Sequence, residues 1–385
     1  MFEQIYGTLG TNSSEWDDST FLLYLFIFIS SFFIGWLTQH TGVIVCRLGD
    51  RTLRPVKHIN YFWFIAFFLF LLFFSGFRDV GTDLPVYRDI FLYVNDRSVM
   101  GTNDNELGFI LMNKALRYFV DNVNIVIFLF SALSLIFMFK AMIYYSDKID
   151  LSIAMFAFLG IFYFQSFNLL RIYMVSYFLC YEFKNLIEGY IWKYFFIVLF
   201  CVLFHYSAIL MILPILAYVV QRKSSVCFIL LLLAFFAVSY LILPYLSFLN
   251  LFERYSSYME DSMDGGIGVA QIVYHLPLFL LYFYMNRQSK YSKILLDLLL
   301  VYSSFSFLFG MLGYKILMIG RMSIYFSMLF VIIIPYLIRA LRENGDKYHS
   351  FIKVVFILYV IFRCHMYFKE YLFADSIMPY KTISL

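Results

Sequence analysis

The feature that most constrains this chain is the recurrence of uninterrupted apolar runs, each as long as a membrane is thick. Tyr61 to Phe77 and Phe228 to Leu243 are apolar on every helical face, and about 17 to 25 such residues cross ~30 Å of hydrocarbon. In lipid the backbone must satisfy its own hydrogen bonds, which leaves helices or closed barrels. A barrel needs alternating segments of about ten residues, and these runs do not alternate. With 63% hydrophobic and 14% charged residues and a mean hydropathy of +0.80, the chain exceeds what a soluble core can hide. The prediction is an all-α polytopic integral membrane protein with about 12 transmembrane helices and no soluble domain to hold a nucleotide or a nucleic acid.

Spans are expected near 21–45, 60–77, 122–145, 151–167, 172–187, 193–205, 207–220, 225–248, 269–286, 294–313, 322–338 and 350–368. The two short members at 193–205 and 207–220 read as a helical hairpin with His205 at its tip. The chain reads as one domain, 1–385, with an outer loop and amphipathic helix at about 78–120 and an outer loop at about 249–268. The first run follows an acidic stretch (Glu15, Asp17, Asp18) without a basic leader, so it is expected to be a retained span. The five cysteines Cys46, Cys180, Cys201, Cys227 and Cys364 lack C-x-x-C spacing and read as packing residues.

Lys and Arg set the orientation. One set of loops carries Arg47, Arg51, Arg54, Lys57, Arg222, Lys223, Arg339, Arg342 and Lys347, while the opposite set is richer in acids. The basic side is expected to be cytoplasmic, which puts both termini and the loop after Phe77 outside.

Charges at the outer ends of such apolar spans are functional candidates. Gly76 to Tyr87 offers Arg78, Asp79, Asp83 and Tyr87. Asp104-Asn105-Glu106 opens the amphipathic stretch. Asn168-Leu169-Leu170-Arg171 sits where one span ends and another begins, His205 follows in Phe204-His205-Tyr206-Ser207, and Arg321 follows Gly320. For each the bland alternative is an interface anchor, a helix cap or a packed polar residue. Together, three arginines with carboxylates and an imidazole suit a transfer whose leaving group is a diphosphate. Arginines neutralise the departing oxygens, and a carboxylate or neutral His takes the proton of an attacking hydroxyl. No nucleotide-binding or zinc motif is present, and D-x-E at Asp104 and Glu106 is too short a metal signature, so no cofactor and no metal are predicted.

In serial combination these segments resemble the EpsG-like branch of bacterial Wzy polysaccharide polymerases, from about residue 60 to 385. The resemblance rests on Gly-Phe-Arg-Asp-Val-Gly-Thr-Asp-x-x-x-Tyr at 76–87, Glu-Leu-Gly-Phe at 106–109, Asn-Leu-Leu-Arg at 168–171, Phe-His-Tyr-Ser-Ala at 204–208, Arg321, and Met-Pro-Tyr-Lys at 378–381. Ile172 departs from the Asn-x-x-Arg-Gln common in that family. The resemblance implies a GT-C-like enzyme of the bacterial inner membrane. It would join undecaprenyl-pyrophosphate-linked oligosaccharide units at the periplasmic face, alongside membrane lipid and a chain-length regulator. On that reading Arg78, Arg171 and Arg321 bind pyrophosphate, Asp83 or His205 is the base, and Glu106 and Tyr87 position hydroxyls. Asn168 and Tyr380 join the substrate-binding set. The rivals are a lipid-linked oligosaccharide flippase, which should carry midplane polar residues and paired halves, and an O-antigen ligase.

Overall fold

The computed structural model describes residues 16–42, 44–49, 52–57, 59–96, 106–224, 227–235, 237, 269–314 and 317–383. Asp104, Asn105 and the loop expected at 249–268 lie outside these. So does most of the span expected at 225–248, of which 227–235 is helical. Among the described residues the fold is all-helical apart from one antiparallel hairpin, β1 (Ile44–Gly49) with β2 (Thr52–Lys57), and an isolated bridge between Arg78 and Thr382. That hairpin corrects the first expected span: α1 runs Asp18–His40 and stops at Thr41, whose N–H and hydroxyl both donate to the Leu37 carbonyl.

Among the described residues, seven helical segments are long and apolar enough to cross a membrane: Asp18–His40, Val123–Tyr145, Tyr206–Lys223, Val269–Asn286, Lys293–Leu312, Ile319–Glu343 and His349–Tyr371. Three shorter apolar ones, Tyr61–Gly76, Leu151–Tyr163 and Ile191–Val202, complete that set. The expected span near 172–187 is helical over Leu170–Ile187 but carries Arg171, Glu182 and Lys184, which lower its hydropathy.

The chain divides into two compact units. The first holds residues up to Tyr181, the link Leu203–His205, and Ile334 onward. After α1, α2 (Tyr61–Gly76) rises from an Asn60 cap. Next come the short α3 (Leu84–Leu92) and α4 (Leu107–Phe119). Helix α5 (Val123–Tyr145) returns the chain, and α6 (Leu151–Phe158) starts from an Asp150 cap. Helix α6 continues as a π-turn at Leu159–Tyr163 and a 3-10 turn at Gln165–Phe167, so Asp150 and Asn168 mark opposite ends of one crossing. Helix α7 (Leu170–Ile187) begins in this unit.

The second unit holds Glu182–Val202 and Tyr206–Ile333. Helix α8 (Ile191–Val202) packs on the 3-10 turn Tyr206–Met211 that opens α9 (Ile212–Lys223), as a helical hairpin requires. Helices α10 (Val269–Asn286) and α11 (Lys293–Leu312) pack on each other, and the short α12 (Leu317–Arg321) and α13 (Ser323–Ser327) lie on α11. Helices α14 (Phe330–Glu343) and α15 (His349–Tyr371) complete the chain.

Candidate functional site

Within the first unit, one end gathers most of the polar residues that the sequence singled out. The C-terminal segment folds back over it. Asp79 N donates to the Lys381 carbonyl at 2.7 Å, and Gly81 N and Thr82 N donate to the Ser376 and Asp375 carbonyls, both at 3.1 Å. Tyr24 Oη, on the first helix, donates to Ile377 O at 2.6 Å. Gly81 has φ +114°, and a Cβ there would sit 2.8 Å from the Phe167 carbonyl oxygen, so only glycine lets the 79–83 turn lie against the end of the α6 crossing.

Asn168, 1% exposed, clamps this turn. Its amide oxygen accepts from Thr82 Oγ1 at 2.7 Å and Asp83 N at 2.8 Å, while its Nδ2 donates to Asp375 at 2.9 Å. Arg78 is equally enclosed. Its guanidinium donates to the carbonyls of Ser75 and Phe167 and to Ser131 Oγ, and it lies over the Phe167 ring at 5.2 Å. Tyr380 Oη donates to Phe74 O at 3.0 Å. Asn168 and Tyr380 spend their polar groups holding the chain together, and Arg78 does so with all but Nη2, which is buried without a hydrogen-bond partner among the described residues.

The convergence lies beside them, on Glu106. Glu106 stands at the N-cap position of α4, makes no side-chain capping bond, and is 4% exposed. One carboxylate oxygen accepts from Arg171 Nη1 at 2.6 Å, and the other lies 2.8 Å from His205 Nδ1. Arg171, in the first turn of α7, rests over Phe109 at 5.2 Å and Tyr87 at 5.7 Å. Tyr87 is 5% exposed on α3, and Asp83 acts electrostatically on both Tyr87 and Arg171. Beneath them Phe109 stacks on Phe130 at 5.3 Å, in an apolar bed that includes Phe91, Ile127 and Leu170.

Gly108 delivers His205 to this place, and the sequence reading gave it no role. Its N–H donates to the Leu203 carbonyl at 2.6 Å, and a Cβ on it would lie 2.8 Å from that same oxygen. The link 203–205 therefore approaches α4 more closely than any side chain at 108 would allow. The advance signals were its place in Glu-Leu-Gly-Phe at 106–109 and a glycine at the start of an amphipathic helix. Asp375, the partner of Asn168, and Ser131 were also missed, being ordinary polar residues beside apolar helices.

Burial would push the Glu106 carboxyl up, but the His205 hydrogen bond and the Arg171 charge outweigh it and hold the group at about 2. Glu106 is therefore a carboxylate at physiological pH. The tautomer assigned from this hydrogen bond turns the Nδ1 proton toward Glu106 and makes Nε2 the basic nitrogen of the ring. The cluster thus presents a proton acceptor and a guanidinium whose charge is shared with one carboxylate. Arg321 ends α12 in the second unit and is partly buried.

A family model described as the EpsG family matches residues 61–382 of the chain. No curated protein and no solved structure matches it.

Proposed function

The chain belongs to the EpsG family, and from that premise we propose that it is a membrane glycosyltransferase polymerising lipid-diphosphate-linked oligosaccharide units. The substrate class is undecaprenyl-pyrophosphate-linked oligosaccharide, as both donor and acceptor. The working face is the outer, periplasmic face of a bacterial inner membrane, with both termini on that side. The observation that carries this reading is the Glu106 carboxylate held between Arg171 and His205 at 2.6 and 2.8 Å.

In the reaction, a hydroxyl of the incoming unit attacks the anomeric carbon of the chain held on its lipid diphosphate. The new C–O bond forms as the bond to the diphosphate oxygen breaks, with inversion at that carbon. His205 Nε2 takes the hydroxyl proton. Glu106 holds the ring in the tautomer that exposes Nε2 and stabilises the imidazolium that forms, the part a carboxylate plays beside a catalytic imidazole. Arg171 sets its guanidinium charge against the departing diphosphate, whose charge grows as the bond breaks. Asp83 is the alternative base, and Tyr87 orients the sugar beside Arg171. Arg78, Asn168 and Tyr380 position this end of the fold.

The test is purified protein in vesicles carrying the lipid-linked unit from the parent cells. A ladder of longer lipid-linked glycans supports a polymerase. Transfer to another acceptor without lengthening would indicate a ligase, and movement across the bilayer without any new bond would indicate a flippase.

A further inference from the structure

Outside the Glu106 cluster, the first unit holds a cavity of about 550 Å³. Three segments wall it: the residues leading into α1 with Trp16 and Asp17, the turn and first part of α3 with Asp79 and Arg88, and the C-terminal segment with Lys381. The hydrogen bonds from Asp79 N and Gly81 N to the C-terminal carbonyls tie two of these walls together, so the cavity is preformed. Neither Glu106, Arg171 nor His205 lines it. Helix α3 separates the two places, with Tyr87 lying under Arg171 and its neighbour Arg88 lining the cavity.

The lining chemistry excludes a second diphosphate site. Two carboxylates face two cations, and Arg88 is already paired with Asp79 at 2.8 Å, so no excess positive charge remains for a phosphate. Asp17 is engaged in capping α1, accepting from Ser19 and Thr20; Asp79, Arg88 and Lys381, set beside an indole, still offer the mix of acceptor and donors that a polyhydroxylated ring needs. The indole is held for the purpose: Trp16 Nε1 donates to Asp18 at 2.8 Å, and the ring packs on Phe21 at 5.5 Å and Phe373 at 6.1 Å. Arg88 keeps a buried Nε–H without an acceptor among the described residues, and Lys381 is exposed. The volume lies within the range of small-molecule sites, roughly 300 to 1,000 Å³.

We propose that this cavity is a second saccharide-binding site, one that grips a short stretch of glycan away from the reacting bond and retains the growing chain between transfers. The inference rests on the reading of the protein as a glycan-joining enzyme, but it concerns different residues.

The experiment uses full-length protein in which Trp36, Trp63 and Trp192 are replaced by Phe. These three are 47%, 37% and 74% exposed, so Trp16 becomes the sole indole reporter of the four in the chain. The probe is the lipid-free oligosaccharide released by mild acid from the parent cells' lipid-linked units, with inorganic pyrophosphate as comparison. A saturable change in Trp16 emission with oligosaccharide alone is expected. Arg88→Ala and Lys381→Ala should each weaken it about tenfold, the loss of one charge-assisted hydrogen bond. Lys381 is exposed, so its variant stays informative if Arg88→Ala misfolds. Absence of an emission change, a response to pyrophosphate, or wild-type affinity in Lys381→Ala would overturn the proposal. Polymerisation is assayed on the same preparation. An emission change without polymerisation refutes the enzyme reading and spares the site, whereas polymerisation without an emission change does the reverse.

Discussion

Glu106 and Asp150 are buried to the same degree, 4% and 5% exposed, at opposite ends of the first unit, yet they are built for different ends. Asp150 is closed. It caps Ile153 N at 3.4 Å and pairs with Lys353 at 2.9 Å. Around it Arg339 donates to the Ile149 carbonyl, and Gln39 brackets Ile149 O and Leu151 N, both at 3.0 Å. Each group there is matched to a helix end or a fixed partner. Glu106 instead joins one cation and one imidazole brought from two different segments, with aromatic rings against the cation. Burial of a charge in such a protein therefore says little about function; convergence on a proton acceptor says more.

If that contrast is right, Arg171→Ala should reduce glycan lengthening about 10³-fold, the scale of removing a donor aimed at developing charge. Kinetics in vesicles would read it, with amounts of folded protein matched. Gly108→Ala should cost about 10²-fold, because displacing the Leu203 carbonyl shifts His205 by a fraction of an ångström to one. Glu106→Gln should lose about 10- to 100-fold, as partners that orient a working group do. At the other end, Lys353→Met should leave turnover per folded molecule unchanged and cost about 3 kcal/mol of stability, by stranding Asp150. Thermal unfolding in detergent would measure that cost, and a large activity loss there would erase the contrast.

A smaller effect sharpens it. Glu106 is lowered from its usual 4.5 to about 2, so the stability it contributes is fully present above pH 4.5 and disappears as pH falls toward 2. The difference in unfolding temperature between wild type and Glu106→Gln should shrink as pH falls below 4.5 toward 2.

Much of this was legible in the sequence, for physical reasons. Apolar runs fixed helices because lipid leaves the backbone no other choice, and the residues of the Glu106 cluster stood out because charges beside such runs are costly. Their partners were harder to read. Arg78 looked like Arg171 in sequence, but one guanidinium met carbonyls and the other met a carboxylate, a difference set by contacts with residues far along the chain. The hairpin of Ile44–Gly49 with Thr52–Lys57 was hidden because Ile44 and Val45 extend the apolar run, and Ile and Val suit strands as well as spans, while Arg47, Arg54 and Lys57 read as a charged loop. Gly108 carried no side chain to notice.

The most direct test of the account is the product ladder made by His205→Ala in vesicles supplied with the lipid-linked unit, run beside wild type and Asp83→Ala. The account predicts long glycans from wild type and from Asp83→Ala, and single units from folded His205→Ala. A wild-type ladder from His205→Ala would contradict it.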